Sequence, residues 1–485
     1  MRPVKIKVMA NIIGRTNEIS LLKEYVESPR SEFIAVYGRR RVGKTFLIDQ
    51  LFQSDYTFSL TGVVDGDAAD QMQALSDAFD MYGFHLEQRP RTWMEAFSLI
   101  RKSVSDRLSD DKKCIIFIDE LPSLDVRGMK LVDALGYFWN SWASKRNDVK
   151  LIVCGSATSW MMRTIIDSKG GLHDRITHEM HLHPFNLKET ECFLQSMGIN
   201  WDRMSILQTY MVFGGIPYYL GLLRPQLSLS QNIDNLFFYP NAEMKREFKR
   251  LYKTLFRLPE PYMEIIRILA EKRSGFSRDE IARKLGKTDN GHLSEKLEDL
   301  VNCDIIRLYN IKHKKISSRN GIYQLMDFYT LFYLTFIEKN SADEHYWTHH
   351  LNTPEMNTWL GLAFERVCLA HIPQIKEQLH IDSMATEYYS WRSVADESHP
   401  QGAQIDLLIE RADRVINLCE IKYCEDEYLI TKDDDTKMRN RISLFRYDTG
   451  TKSAIWPTYI TTFGLSRGGY STSIQWQITM DDLFK

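Results

Sequence analysis

Gly38-Arg39-Arg40-Arg41-Val42-Gly43-Lys44-Thr45 is the stretch of sequence that decides the fold. It fits the pattern G-x-x-x-x-G-K-[ST], a loop whose backbone N–H groups surround a phosphate. In such a loop the lysine reaches the outer phosphates and the hydroxyl meets Mg²⁺. The apolar run 33–37 precedes the loop and a helix-like segment, 46–52, follows it. This strand–loop–helix context predicts that residues 38–45 bind a nucleoside triphosphate.

A second element, an acidic pair farther along the chain, supports this prediction. The run Cys114-Ile-Ile-Phe-Ile-Asp119-Glu120 reads as a buried strand that ends in two carboxylates. We expect Asp119 to hold Mg²⁺ together with Thr45, and Glu120 to polarise the attacking water. The alternative is a solvated acidic pair after a core strand.

Composition limits the remaining possibilities. With 485 residues the chain is too long for one core, and two to four domains are expected. A formal charge of −2 means that any nucleic-acid surface must be local. Seven scattered cysteines without a C-x-x-C pair predict reduced thiols and a cytoplasmic protein. The basic start has too short an apolar stretch for a signal peptide, and no run of 18 apolar residues predicts a membrane span.

The order of patterns predicts three domains. Apolar runs at 33–37, 56–60, 114–118 and 151–155 alternate with amphipathic stretches, which indicates a parallel α/β sheet in a nucleotide-binding domain at 1–235. A mostly helical segment follows at 242–340. Paired strands at 404–410 and 415–423 indicate a smaller α/β domain at 350–485.

Further motifs surround the phosphate loop. Ile12-Ile13-Gly14-Arg15, followed by Glu18, precedes the first strand; Ser156 ends the strand 151–155; and Arg175 follows a glycine pair. With the loop, these segments resemble AAA+ ATPases of the origin-recognition and STAND groups. The resemblance implies that Gly14 and Arg15 lie over adenine and ribose, and that Ser156 is a sensor. Arg175 would be an arginine finger, in cis or in trans. The local alternatives are a helix start, a turn serine and a surface arginine.

Gly215-Ile216-Pro217 completes the set. The whole pattern over residues 12–220 is similar to a predicted ATPase family common in archaea and Bacteroidetes, within the AAA+/STAND lineage. That resemblance implies that Gly215 and Pro217 contact the nucleotide from the lid, whereas the local alternative is a rigid turn.

The middle domain reads as a winged helix. Ser277 and Glu280 form a capping box, an amphipathic helix starts near 290, and strands 305–309 and 321–325 pair across the basic tip 312–315. If it binds DNA, the helix would enter the major groove and the tip lysines would contact phosphate. Acidic residues on that helix, Glu295, Glu298 and Asp299, weigh against groove binding. The alternatives are a lid or connector, or a basic footprint at 245–253.

Asp406, Glu420 and Lys422 lie near the ends of the predicted C-terminal hairpin. Glu420 and Lys422 share one face of their strand. The set resembles the D…E-x-K arrangement of PD-(D/E)xK nucleases, although the proline usually beside the aspartate is absent. A domain of this restriction-endonuclease-like kind is a known companion of the ATPase family. The resemblance implies that Asp406 and Glu420 bind Mg²⁺ or Mn²⁺, that Lys422 is catalytic, and that Glu365 adds a further acidic ligand.

Two functions remain open from the sequence. The first is an ATP-hydrolysing AAA+/STAND-type enzyme that regulates a metal-dependent nuclease-like domain acting on DNA. The second is a slow nucleotide-dependent switch whose C-terminal domain is an inactive binding scaffold. The sequence allows a homo-oligomer and an unknown protein partner in either case.

Overall fold

The structure, a computed structural model, describes residues 12–84, 86, 88–105, 113–167, 172, 174–256, 258–272, 274–286, 291–309, 321–339, 343–393, 402–468, 470–471 and 474–485. The chain divides into two compact units, Met1–Pro184 with Leu251–Arg257, and Phe185–Arg250 with Leu258–Lys485. The first of these units ends at Pro184, inside the segment 1–235 that the sequence assigns to one domain. Among the described residues, no helix is long and apolar enough to span a bilayer.

The first unit is built around one sheet. Its strands are β1 (Glu32–Tyr37), β2 (Tyr56–Thr61), β3 (Cys114–Asp119), β4 (Val149–Gly155) and β5 (His178–His181). Its helices are α1 (Thr16–Glu27), α2 (Lys44–Phe52), α3 (Ala68–Met81), α4 (Trp93–Ser105), α5 (Leu121–Leu124), α6 (Leu131–Ser141) and α7 (Thr158–Trp160).

All five strands are parallel, in the order β2-β3-β4-β1-β5. Every residue of β1, β3 and β4 is buried, which explains their nearly continuous apolar sequences, since helices cover both faces of a parallel sheet. The four strands predicted from the sequence are confirmed. Because β4 lies between β1 and β3, its carboxyl end meets the phosphate loop on one side and the acidic pair on the other.

The second unit begins with helices. They are α8 (Leu187–Ser196), α9 (Arg203–Phe213), α10 (Pro217–Leu220), α11 (Leu229–Ile233), α12 (Glu243–Leu255, whose last turn belongs to the first unit), α13 (Glu260–Ala270), α14 (Arg278–Lys284), α15 (Gly291–Asn302), α16 (Phe328–Phe332), α17 (Tyr346–His349), α18 (Pro354–Ala370), α19 (Ile372–Gln378) and α20 (Lys432–Thr449). Its strands are β6 (Phe276–Ser277), β7 (Ile306–Tyr309), β8 (Ile322–Leu325), β9 (Thr386–Ser393), β10 (Ala403–Arg411), β11 (Val415–Lys422), β12 (Ala454–Thr461) and β13 (Trp476–Thr479).

A small antiparallel sheet, β6-β8-β7, accompanies α13, α14 and α15. The predicted capping box is present: the Ser277 hydroxyl accepts from the Glu280 N–H (3.3 Å), and the Glu280 carboxylate accepts from the Ser277 N–H (2.7 Å). The predicted pairing of 305–309 with 321–325 is confirmed as β7 and β8. The basic tip 312–315 lies outside the described residues.

The C-terminal sheet has the order β13-β12-β11-β10-β9. Strands β9, β10 and β11 are antiparallel neighbours, while β11, β12 and β13 are parallel, with α20 connecting β11 to β12. An apolar core that includes Ile416 and Leu418 of β11 and Phe445 of α20 fills one face. Helix α18 packs against β11 as well.

Candidate nucleotide-binding site and C-terminal acidic site

The phosphate loop has a backbone that requires glycine. Gly38 has φ +141°, and a Cβ there would lie 2.4 Å from the Leu182 carbonyl oxygen. Gly43 has φ +92°, and Arg41, a non-glycine residue, also takes a positive φ of 71°. The side chains of Arg39 and Val42 are buried, and Arg40 donates to the Thr254 hydroxyl. The conformation of the loop is thus fixed by its own sequence and by its neighbours in the first unit.

Lys44 lies folded onto the loop. Its ammonium donates to the Gly38 carbonyl (2.8 Å) and to the Arg39 carbonyl (2.9 Å). Burial lowers the pKa of Lys44, while the nearby Glu120 and Asp119 carboxylates oppose that shift. The loop therefore holds a buried cation at the position where the motif needs one.

Thr45 and Asp119 are in direct contact. The Thr45 hydroxyl donates to Asp119 Oδ2 (2.9 Å), and Asp119 Oδ1 accepts from the Glu120 N–H (2.9 Å). Burial raises the pKa of the Asp119 carboxyl, and the hydrogen bond from Thr45 opposes that effect. A hydroxyl and a carboxylate are oxygen ligands of the kind that Mg²⁺ prefers, so the pair fits a magnesium site.

Glu120 is oriented by the neighbouring strand. Its backbone is in the left-handed region (φ +47°), and its Oε1 accepts from the Ser156 hydroxyl at 2.8 Å. Ser156 directly follows β4 and is only 4% exposed. The parallel sheet thus joins the predicted water-polarising carboxylate to the predicted sensor.

Arg15 lies against the phosphate loop. It is 4% exposed, and its Nη2 donates to the Val42 carbonyl (3.3 Å) while Nη1 pairs with Glu18 (3.4 Å). Gly14 and Arg15 both have a positive φ, which gives the chain a sharp turn before α1. The structure therefore places Arg15 on the backbone of the loop, a contact that the sequence pattern did not reveal.

Arg175 lies near the amino-terminal end of β1, whereas the phosphate loop follows its carboxyl end. The Thr177 N–H donates to the Phe33 carbonyl near the start of β1, five residues before Gly38. At about 3.3 Å per residue, this separates it from its own phosphate loop by roughly 16 Å. Arg175 is exposed, and its role as an arginine finger, in cis or in trans, stays a prediction.

Gly215 and Pro217 belong to the second unit. Gly215 has φ +67°, a Cβ there would lie 2.1 Å from the Phe185 carbonyl oxygen, and its own carbonyl accepts from the Phe185 N–H (2.8 Å). Pro217 is the first residue of α10. Within this unit the segment is a rigid turn, and its nucleotide contact stays a prediction.

In the C-terminal sheet, Glu420 forms ion pairs with two basic side chains. Its Oε1 pairs with Lys422 Nζ at 2.9 Å, and its Oε2 accepts from Arg441 on α20. Glu420 thus projects toward the α20 face, whereas Cys419 faces the opposite side, where its thiol lies near Cys368 of α18. Glu365 lies on α18, so this helix covers the face opposite to Glu420.

Asp406 lies where the pairing of β10 with β9 shifts register, between Ile405 and Leu408. The pairing of β10 with β11 ends at Leu407 and Cys419, one residue before Asp406 and Glu420 on their strands. The Asp406 carboxylate accepts from Gln404 Nε2 (2.6 Å). Arg441 has no signal in the sequence, because its contact arises only when α20 packs on the sheet.

The geometry of the first unit, with a phosphate loop, an acidic pair after β3 and a serine after β4 on one parallel sheet, is that of a P-loop ATPase. Residues 12–223 match the model of a family described as an ATPase domain predominantly from Archaea. These residues therefore form a Walker-type ATPase domain, and the predicted resemblance to an archaeal ATPase family is confirmed.

The similarity to individual proteins is lower. The chain is 24% identical over 429 residues to an uncharacterised protein of Methanocaldococcus jannaschii, covering 88% of this chain and 89% of the relative. A Walker-type ATPase of Pyrococcus abyssi has a similar structure, with 18% identity and a TM-score of 0.47, over 69% of this chain and 99% of that one. The ORC2 protein of Aeropyrum pernix, in ADPNP–ADP complexes, gives 13% identity and 0.42, over 68% and 95%.

Proposed function

We propose that this protein hydrolyses ATP in its first unit, and that the nucleotide state controls a metal-dependent nuclease centre for DNA in its second unit. The observation that carries the first half is the row of hydrogen bonds Thr45–Asp119 and Glu120–Ser156 beside Lys44. It supports hydrolysis, beyond nucleotide binding, because it orients a carboxylate next to the phosphate loop.

Each residue of the nucleotide-binding site has a separate role in the proposed hydrolysis. Lys44 exchanges its carbonyl partners for phosphate oxygens and places a positive charge on them. Thr45 and Asp119 would hold Mg²⁺, which neutralises phosphate charge when bound. Glu120 accepts a proton from the attacking water, and Ser156 keeps the carboxylate aimed.

Two residues complete this centre from farther away. Arg15 keeps the loop backbone in place through its bond to the Val42 carbonyl. Arg175 acts on the nucleotide of a neighbouring copy, which makes the active assembly a homo-oligomer.

The topology of the C-terminal sheet supports the nuclease half. The sheet has an antiparallel trio, a crossover helix and two parallel strands. Asp406 and Glu420 are on adjacent strands, each one residue beyond the pair Leu407 and Cys419, and Lys422 is two residues further on. Carboxylate oxygens fit Mg²⁺ or Mn²⁺, which would supply positive charge near the phosphodiester. Lys422 orients the attacking water, and a winged helix formed by 260–325 contributes DNA contacts.

One observation favours the alternative of an inactive scaffold. Arg441 occupies Glu420 Oε2 while Lys422 occupies Oε1, so both oxygens of the proposed metal ligand already have a cationic partner. If this pairing is permanent, the centre cannot bind a metal ion, and the C-terminal domain acts only as a binding scaffold. If it is a latent state, removing Arg441 opens the site.

The experiment that separates these functions measures two activities of the full chain. Phosphate release should fall to background in Lys44→Ala and Glu120→Gln. Plasmid nicking with Mg²⁺ or Mn²⁺ and ATP should disappear in Glu420→Gln and rise in Arg441→Ala. Arg439→Ala is the matched control, because Arg439 is on the same helix but pairs with Asp435 (2.8 Å).

Each outcome has a clear meaning. Nicking that survives unchanged in Glu420→Gln refutes the nuclease centre. An absence of nicking in both the wild type and Arg441→Ala, with ATP turnover intact, establishes the scaffold. Phosphate release by Lys44→Ala at the wild-type rate refutes the ATPase mechanism itself.

A further inference from the structure

A cavity of about 380 Å³ lies within the second unit, between the β7–β8 hairpin and strands β9 and β10. Its volume is in the range of cavities that bind small molecules. The walls come from two separate segments of the chain, the helical segment 260–325 and the C-terminal sheet. None of the motifs discussed above explains why this space is lined as it is.

Two cations and an aromatic ring line the cavity together. Lys272 and Arg392 supply two positive charges and Tyr309 supplies the ring, whereas the Trp391 ring is 2% exposed and packs on Phe445 in the core. Glu280 also lines the space, but its carboxylate is engaged by Lys272 (3.4 Å) and by the Ser277 N–H (2.7 Å). The balance of charge is therefore positive, which favours an anionic ligand with a flat, stackable part.

The Tyr309 ring is held in place before any ligand arrives. Its hydroxyl donates to the Ser274 carbonyl, and the Arg307 guanidinium lies 4.6 Å from the ring centroid. Arg307 in turn donates to the Gln324 side chain (2.6 Å). An aromatic ring fixed in this way is a ready stacking surface, because little side-chain freedom is lost when a base binds.

Gln404 links the cavity to the acidic site. Its side chain lines the cavity, and its Nε2 donates to the Asp406 carboxylate at 2.6 Å. Ser390, another lining residue, donates to the Asp406 carbonyl at 2.6 Å. A ligand in the cavity would therefore lie one side chain away from a proposed metal ligand.

We propose that this cavity is a subsite for one unpaired nucleotide of the DNA strand, with its base against Tyr309 and its phosphate between Lys272 and Arg392. The assignment rests on the proposed nuclease function for its DNA partner. A paired base cannot enter, because the cavity accepts a single flat group and the base must leave its stack. The subsite positions the strand so that the neighbouring phosphodiester reaches Asp406.

The test measures binding without cleavage. A fluorescent single-stranded oligodeoxynucleotide is titrated with full-length protein in EDTA, with ADP saturating the phosphate loop, across a series of salt concentrations. Arg392→Gln should weaken binding about three- to tenfold and reduce the salt slope by about 0.7, the value for one phosphate contact on a single strand. Arg414→Gln is the matched control, since Arg414 is also exposed but lies at the turn between β10 and β11.

Two substitutions of Tyr309 test the aromatic contact. Tyr309→Leu should weaken binding about fivefold or more, whereas Tyr309→Phe keeps the ring and should bind nearly as the wild type does. Competition with thymidine monophosphate distinguishes the two sources of the ligand. Displacement of the strand by the free mononucleotide at equal concentration would identify a small nucleotide as the true ligand, which overturns the DNA assignment.

The results separate the subsite from the nuclease. Arg392-dependent binding by a protein that never nicks DNA supports the subsite and refutes the nuclease centre. Normal nicking together with unchanged binding by Arg392→Gln and Tyr309→Leu refutes the subsite alone. A wild type that binds no single strand, or equal losses in Arg392→Gln and Arg414→Gln, also overturns the proposal.

Discussion

Replacing Ser156 by alanine isolates the role of one hydrogen bond in ATP hydrolysis. The Ser156 hydroxyl donates a hydrogen bond to Glu120 Oε1 at 2.8 Å, and through this bond Ser156 contacts the acidic pair. A hydrogen bond to a charged group contributes about 1.5–3 kcal/mol. If that energy orients Glu120 in the transition state, Ser156→Ala should lower kcat about ten- to 150-fold.

The assay compares phosphate release with nucleotide binding. KM and the affinity for ADP should stay within about twofold, because Ser156 contacts the carboxylate and not the phosphate loop. Ser123→Ala, a half-buried serine three residues after Glu120 on α5, is the control and should keep wild-type turnover. A Ser156→Ala enzyme with full kcat, or one that loses ADP binding instead, would refute the reasoning.

Three other perturbations test the remaining structure. Gly215→Ala should lower the free energy of unfolding by about 2–4 kcal/mol in denaturant titrations, because φ is +67° and the new Cβ would lie 2.1 Å from a carbonyl oxygen; Gly291→Ala, with no atom within 4 Å, should change it by less than about 0.5. Burial lowers the pKa of His371 from 6.5 to about 4, so up to about 3 kcal/mol of stability, present above pH 6.5, should be lost as pH falls toward 4, and His371→Gln should flatten that slope in thermal melts at successive pH values. Arg175→Ala alone should turn over ATP at least tenfold more slowly than the wild type. Mixing it with Lys44→Ala should restore turnover, because the first variant has an intact phosphate loop and the second supplies Arg175. Equal rates with and without mixing would contradict an in-trans role.

The sequence predicted which strands form the sheet of the first unit, and the order of its motifs then brings them to one edge for a physical reason. Parallel strands end at the same edge, so a loop after β1, an acidic pair after β3 and a serine after β4 must lie together whatever the loops do. The same rule explains the hydrogen bond between Ser156 and Glu120, a contact that was not among the sequence predictions. The four strands themselves were visible because a sheet covered on both faces has nearly continuous apolar strands.

Contacts made by packing were beyond the reach of sequence patterns. Arg441 meets Glu420 only because α20 folds back over β11, and Arg15 meets the Val42 carbonyl only because α1 starts with a left-handed turn. The predicted domain boundary at 235 differs from the division at Pro184 for a similar reason. Tyr210, inside the predicted lid, packs on Phe328 (5.2 Å between centroids), more than a hundred residues away.

Lys44, the first residue of α2, ties the start of the phosphate loop to this helix. Lys44 satisfies two loop carbonyls, so an incoming anion must compete with partners already in place at 2.8 and 2.9 Å. A small anion such as inorganic phosphate has few contacts with which to win that competition, whereas a nucleotide brings additional groups. A ligand that draws Lys44 away must therefore replace both carbonyl contacts, which favours a ligand with several phosphate oxygens over a single small anion.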